Sequence, residues 1–179
     1  MREEQTAPLL ERLEAGQIDA AIVALPVSLN NVETEELALD RFFVVCSRTH
    51  RLARLPAVRP RDMATEDLLL LEDGHCMREH ALAACALEGA RRNIAFQGTS
   101  LHTLVMMAAN GLGVTLVPEM AVESGVLRGL DLHVAPLEGD APHRRIALAW
   151  RRTSGRGETF RRLAAVLREA GGEHGGAAI

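Results

Sequence analysis

Residues 68–85 read LLLLEDGHCMREHALAAC, and the rest of the chain falls into place around them. Leu68 to Leu71 form an apolar run too short for a helix and read as a strand buried on both faces. Glu72-Asp73-Gly74-His75 then turn the chain, and the pattern from Cys76 predicts a helix reaching about Leu87 and stopping at Gly89. A thiol at that helix start meets the positive end of the helix dipole, which favours thiolate. His75 is its neighbour and Arg78 lies within a turn, while Glu72 and Asp73 act in the opposite direction. The simpler reading of Cys76 is a small buried hydrophobe.

Cys85 follows nine residues after Cys76. At about 100° and 1.5 Å per residue, the two thiols of an intact helix point to opposite sides, separated by roughly 13–14 Å of rise. A disulfide needs Cα atoms within about 7 Å. The spacing therefore describes either two unrelated cysteines or a redox switch that stores its signal in a refolded segment. His75, Cys76, His80 and Cys85 also invite a metal reading, since His80 shares a helix face with Cys76. Cys85 falls on the far face and no Cys-x-x-Cys partner exists, so no metal is assigned.

Outward from this segment, strands and helices alternate. Upstream, Thr6 can cap a helix with Pro8 in its first turn and Gly16 at its end; Asp19 to Leu25 read as a buried strand stopped by Pro26. Residues 28–36 read as a polar loop and Leu37 to Ser47 as a strand that packs Cys46. Arginines 48, 51, 54, 59 and 61 read as a solvated face around a turn, followed by a short helix near Pro60 to Ala64. Downstream come a strand at Ile94 to Phe96, a helix from Leu101 capped by Thr99 or Ser100, and the strand GVTLVP. A short helix at Glu119 to Glu123, strands at Leu130 to Ala135 and Arg145 to Trp150, and a helix at Glu158 to Ala170 complete the order. This predicts an α/β fold with parallel sheet character.

Composition removes several functions. All 20 basic residues are arginine, so Schiff-base lysines and lysine-bearing phosphate loops are impossible. A net charge of −4 and only four phenylalanines and Trp150 as aromatics argue against a nucleic-acid surface on this chain. No apolar run reaches membrane-spanning length, and MREEQTAP is not a signal peptide. Three cysteines do not make a secreted disulfide scaffold, so a cytoplasmic location and no membrane partner are expected.

LLLLEDGHCMREHALAAC closely resembles the sensing segment of the OxyR family, the hydrogen-peroxide sensors among LysR-type transcriptional regulators. GTSLHTLVMMAANGLGVTLVP (98–118), QTAPLLERLEAGQIDAAIVAL (5–25) and RRIALAWR (144–151) resemble further stretches of that family, so the likeness runs from Glu4 to about Glu169. The LEDGHC motif with its spaced cysteine is highly specific; GxGxTLxP is shared by many LysR-type effector domains. The resemblance implies a two-lobed, periplasmic-binding-protein-like effector domain. Residues 1–39 and 145–170 would form a first lobe, incomplete at its N-terminus; 40–144 would form the second, with 171–179 a disordered tail. It implies that Cys76 is the peroxidatic thiol and Cys85 the resolving one. His75, Thr6 and Arg144 would bind peroxide or favour thiolate, with Arg78 and Ser100 structural or pocket-lining.

Departures from the family pattern are Glu79 in place of a frequent aspartate and Ala95 in place of an occasional histidine. A second peroxide-binding threonine, the winged helix-turn-helix, the linker helix and the first strand-helix-strand would lie upstream of Met1. No residue here is therefore assigned to DNA. The resemblance implies a transcription regulator of the oxidative-stress response rather than an enzyme, without cofactor. Its partners would be hydrogen peroxide and, through the full-length protein, DNA and RNA polymerase, in a homodimer or homotetramer. The alternatives are a thiol peroxidase and an effector domain that binds a small organic ligand.

Overall fold

The computed structural model describes residues 6–27, 31–72, 76–84, 94–138 and 143–172. The chain divides into two compact units, 1–39 with 144–179, and 40–143.

In the first unit, helix α1 (Thr6–Glu14) leads into strand β1 (Ala20–Leu25), followed by β2 (Val32–Asp40). The chain returns as β8 (Arg144–Arg151) and ends in helix α6 (Gly157–Gly172). The sheet order is β1-β8-β2, with β1 and β8 antiparallel and Ile22 opposite Leu148. Leu10 and Leu13 of α1 pack with Ala21, Val23 and Ala149 on one face. Phe160 and Ala164 of α6 pack with Leu148 and Trp150 on the other, the Phe160 and Trp150 rings 5.6 Å apart.

In the second unit, β3 (Phe42–Ser47) is the central strand of the order β6-β3-β7, antiparallel to both β6 (Thr115–Pro118) and β7 (Leu132–Pro136). Strand β4 (Leu68–Leu71) pairs in parallel with β5 (Ile94–Gly98). It also meets the start of β6, where the Leu69 amide donates to the Val114 carbonyl at 2.9 Å. Gly113 makes that approach possible: its φ is +155°, and a Cβ there would lie 2.3 Å from the Asp67 carbonyl oxygen. The four leucines divide by period two. Leu68 and Leu70 join Phe42, Val44, Cys46 and Met63 in one cluster. Leu69 and Leu71 join Val45, Val117 and the inner face of α4 (Leu101–Ala109) in another. A strand with a core on each side has no polar face to show, which is why it reads as an unbroken apolar run. Helix α2 (Pro60–Met63), α3 (Cys76–Ala84) and α5 (Glu119–Glu123) complete the unit.

Several sequence expectations need correction. Parallel pairing holds for β4 and β5, but three other pairings are antiparallel, because alternation does not encode the direction in which a returning strand enters a sheet. Within the expected loop 28–36, β2 already begins at Val32; its VETEELALD carries carboxylates that bond to distant arginines, so it lacks an apolar signature. The single strand expected over Leu37 to Ser47 breaks at Arg41. There buried Asp40 accepts from the Met120 amide at 3.1 Å and holds the start of α5. Thr6 is the first residue of α1 rather than its cap. Gly171 and Gly172, expected in the tail, belong to α6, and the remainder of the expected tail, 173–179, lies outside the described residues. The arginine-rich turn is the exposed face expected, with all five arginines exposed, and three of them also form ion pairs: Arg48 with Asp131, Arg51 with Glu66, and Arg59 with Glu138. No helix among the described residues is long and apolar enough to cross a membrane.

Candidate functional site

The site is built on the step from β4 to α3. β4 is buried throughout and ends at Leu71; α3 opens at Cys76, so the backbone of that residue stands at the positive end of a nine-residue helix. Arg78, only 7% exposed, reaches back and donates from Nη1 to the Leu71 carbonyl at 2.8 Å. One charge-assisted hydrogen bond thus joins the first turn of the helix to the last residue of the strand that launches it. Ala81, three residues on, is buried on the same face, and Met77 and Leu82 are partly buried against the core. Glu79 is exposed and His80 half-buried. Beneath the helix lies a void of about 10 Å³ lined by Leu70, Arg78, Leu104 and Thr115, room for about one water and for no organic ligand.

Ser100 caps α4: its hydroxyl accepts from the Thr103 amide at 3.2 Å and shares a 2.9 Å hydrogen bond with the Thr103 hydroxyl. Arg78, Ser100 and the start of α3 belong to the second unit. Thr6, in the first turn of α1, and Arg144, the first residue of β8, are both half-buried in the first unit. His75 and Cys85 lie outside the described residues. The predicted helix is described as far as Ala84.

Cys46 is a different thiol. It sits wholly buried in β3, and burial, reinforced by the Glu66 carboxylate, pushes its pKa up to about 11. Glu66 itself is nearly buried, paired with Arg51 and 3.2 Å from His50 Nε2. Sequence reading missed this arrangement, because a lone glutamate before a leucine run carries no local sign of its partners. Two larger open grooves occur elsewhere. One of about 320 Å³ lies against Leu55, Arg59 and Glu138, and one of about 330 Å³ against Leu25, Val32 and Arg145.

Residues 1–172 match the family model described as the LysR substrate binding domain. The chain belongs to the LysR substrate-binding domain family. It is 38% identical over 172 residues to a "Probable hydrogen peroxide-inducible genes activator" of Streptomyces viridosporus, covering 95% of this chain and 55% of that protein. It is 35% identical over 155 residues to the "HTH-type transcriptional regulator EstR" of Acinetobacter baylyi, covering 86% of this chain and 51% of that one. Among LysR-domain structures, the reduced regulatory domain of OxyR2 from Vibrio vulnificus superposes with a TM-score of 0.85 at 41% identity, over 94% of this chain and 79% of that one. The chain spans about half the length of these full-length LysR-type relatives.

Proposed function

We propose that this chain is the peroxide-sensing part of an OxyR-like transcription regulator, with Cys76 as the sensing thiol and Cys85 as the resolving one. One observation carries the reading. The LEDGHC motif and the cysteine nine residues on occur in a LysR-family chain whose relatives include proteins named as hydrogen peroxide-inducible genes activators and whose fold matches OxyR regulatory domains. In the proposed chemistry the Cys76 thiolate attacks one peroxide oxygen, giving sulfenic acid and hydroxide. The Cys85 thiol then displaces water to form the disulfide. His75, Thr6 and Arg144 are proposed to bind peroxide or favour thiolate. DNA, RNA polymerase and assembly as a homodimer or homotetramer belong to the full-length protein.

The helix geometry gives this chemistry its consequence. From Cys76 to Ala84 the helical rise is about 12 Å, and Cys85 is tethered one Cα step of about 3.8 Å away. Its Cα therefore stays at least roughly 8 Å from that of Cys76, beyond the reach of a disulfide of about 7 Å. Bond formation must unwind α3. That releases Ala81 from the core and the Arg78 side chain from Leu71, at a cost of several kcal/mol that disulfide formation offsets.

Stoichiometric hydrogen peroxide should consume about two of the three thiols, leaving Cys46, with mass mapping showing Cys76 joined to Cys85 and the amides of 76–84 losing their exchange protection. Cys76→Ser should abolish the oxidation, and Cys85→Ser should trap a sulfenic acid. A Cys46–Cys76 link, or no disulfide, overturns the reading. Sustained turnover with a thiol reductant would identify a peroxidase instead. The description of the family as substrate-binding, together with the two open grooves, favours a small organic effector as the second reading. Thiols indifferent to peroxide would select it.

A further inference from the structure

We propose that Met77 is a second oxidation site, one for hypohalous acids, and that its sulfoxide releases α3 by a chemistry that needs neither cysteine. Met77 stands in the first turn of α3, directly after Cys76, and is half-buried. Its side chain packs against both cores of the second unit, the one around Val44 and Leu70 and the one around Leu69 and Leu104. It also lines the void of about 10 Å³ beneath the helix, with Arg78 and Thr115. A thioether fills such a junction well because it is apolar, unbranched and adaptable. It is also a group that a two-electron oxidant turns polar. The thioether sulfur attacks the chlorine of hypochlorous acid and expels hydroxide. Water then attacks sulfur, chloride leaves, and two protons are lost, one of them to the hydroxide. Sulfur has given two electrons to chlorine, and the sulfoxide oxygen has come from water. Hydrogen peroxide oxidises thioethers far more slowly than hypochlorous acid does, so Cys76 and Met77 divide the oxidants between them.

The new oxygen is a strong acceptor placed where the nearby donors are already engaged. The Thr115 hydroxyl donates to the Leu69 carbonyl at 2.9 Å, and Arg78 Nη1 donates to the Leu71 carbonyl at 2.8 Å. The rest of the void lining is aliphatic. The oxygen therefore stays unpaired or draws Arg78 away from Leu71, and either outcome loosens the helix. Where each methionine sits decides what its oxidation does. Met107 is also half-buried, but α4 is held by buried Leu104, Val105 and Ala108. Met63 is wholly buried, while Met106 and Met120 are 38% and 50% exposed, so water meets an oxygen added there. α3 is held by less: among its described side chains only Arg78 and Ala81 are buried. Release of α3 carries a signal on the reading proposed above; the release itself does not depend on that reading.

The test uses the 179-residue chain carrying Cys76→Ser and Cys85→Ser, titrated with hypochlorous acid in small steps. Peptide masses report which methionine has gained an oxygen, and amide exchange reports the state of 76–84. Met106 and Met120 should be oxidised first with α3 still protected. Exchange across 76–84 should then quicken by about tenfold or more in step with oxidation of Met77, and methionine sulfoxide reductase should reverse it. Met77→Leu, similar in volume and without sulfur, should keep its protection through the same titration. In the otherwise native, reduced chain, Met77→Gln should quicken exchange of 76–84 with no oxidant present. The proposal is overturned if Met77 stays unmodified once Met106, Met107 and Met120 carry oxygen. Oxidation of Met77 without change in 76–84, or equal loss of protection in Met77→Leu, overturns it too. Such failures leave peroxide sensing standing, since that is read from the Cys76–Cys85 bond in the native chain. Thiols indifferent to peroxide would in turn leave the Met77 result intact.

Discussion

β3 and α3 each carry a cysteine, and they are held in the fold in different ways. β3 is hydrogen-bonded to a strand on either side, and its side chains feed two cores. α3 is fixed by buried Ala81, by Met77 and Leu82 in part, and by the Arg78 side chain on Leu71. Opening β3 means opening the whole unit, whereas α3 can leave while the sheet stays intact. A thiol in the first element is shielded by global stability; a thiol in the second has a nearby segment able to rearrange. The difference lies in the number of elements that must move with each cysteine.

The strongest break in this contrast is a cavity under both elements against a truncation in one. Leu69→Ala, at a wholly buried position of β4, should cost about 2–5 kcal/mol and lower the urea midpoint of the entire second unit. Leu82→Ala, partly buried on α3, should cost less than about 1.5 kcal/mol and raise amide exchange in 76–84 while leaving β3 protected. Equal loss of protection in β3 for both variants would show that the two elements open as one.

pH sharpens the comparison from the side of Cys46. Its thiol is held neutral by burial, with a pKa of about 11 against an ordinary value of 9.0. The raised pKa means that the folded state keeps its proton longer than the unfolded one. The associated stability is complete below about pH 9 and is lost as pH rises through about 11. Urea midpoints at pH 8 and pH 11 should show a loss of about 2–3 kcal/mol in the native chain that Cys46→Ala escapes. A parallel fall in both proteins would assign the alkaline sensitivity to other groups.

What could be read from sequence follows the same division between local and distant causes. β1, β4 and α4 were legible because their signals are local: an apolar run ended by proline, four leucines, a serine cap. The first part of β2, Val32 to Glu36, was not, since Glu33, Glu35 and Glu36 find their partners at Arg161, Arg168 and Arg145, more than a hundred residues away. The ion pairs of Arg48, Arg51 and Arg59 were hidden for the same reason, as was the Glu66 carboxylate beside Cys46. In the candidate site, the cysteine spacing and the start of α3 were legible. The grip of Arg78 on Leu71 was not, because seven residues of sequence do not tell which way a long side chain folds back.

Arg78 supplies the most local of the expected effects. Its guanidinium is buried, and the Leu71 carbonyl it serves ends a strand with no exposed face, so removing the donor leaves a buried acceptor short of a partner. Arg78→Met keeps most of the packed stem and removes the charge-assisted bond. The loss should be about 1.5–2 kcal/mol, read as faster exchange across 76–84 with the exchange of β3 and the global urea midpoint nearly unchanged. Arg78→Lys keeps a positive charge without the planar fork and should recover only part of it. If release of α3 limits disulfide formation, Arg78→Met should also speed the second step of oxidation by roughly tenfold, the rate equivalent of about 1.4 kcal/mol, and leave the first attack on peroxide as it was. A slower second step would mean that Arg78 guides Cys85 toward Cys76 instead of restraining the helix between them.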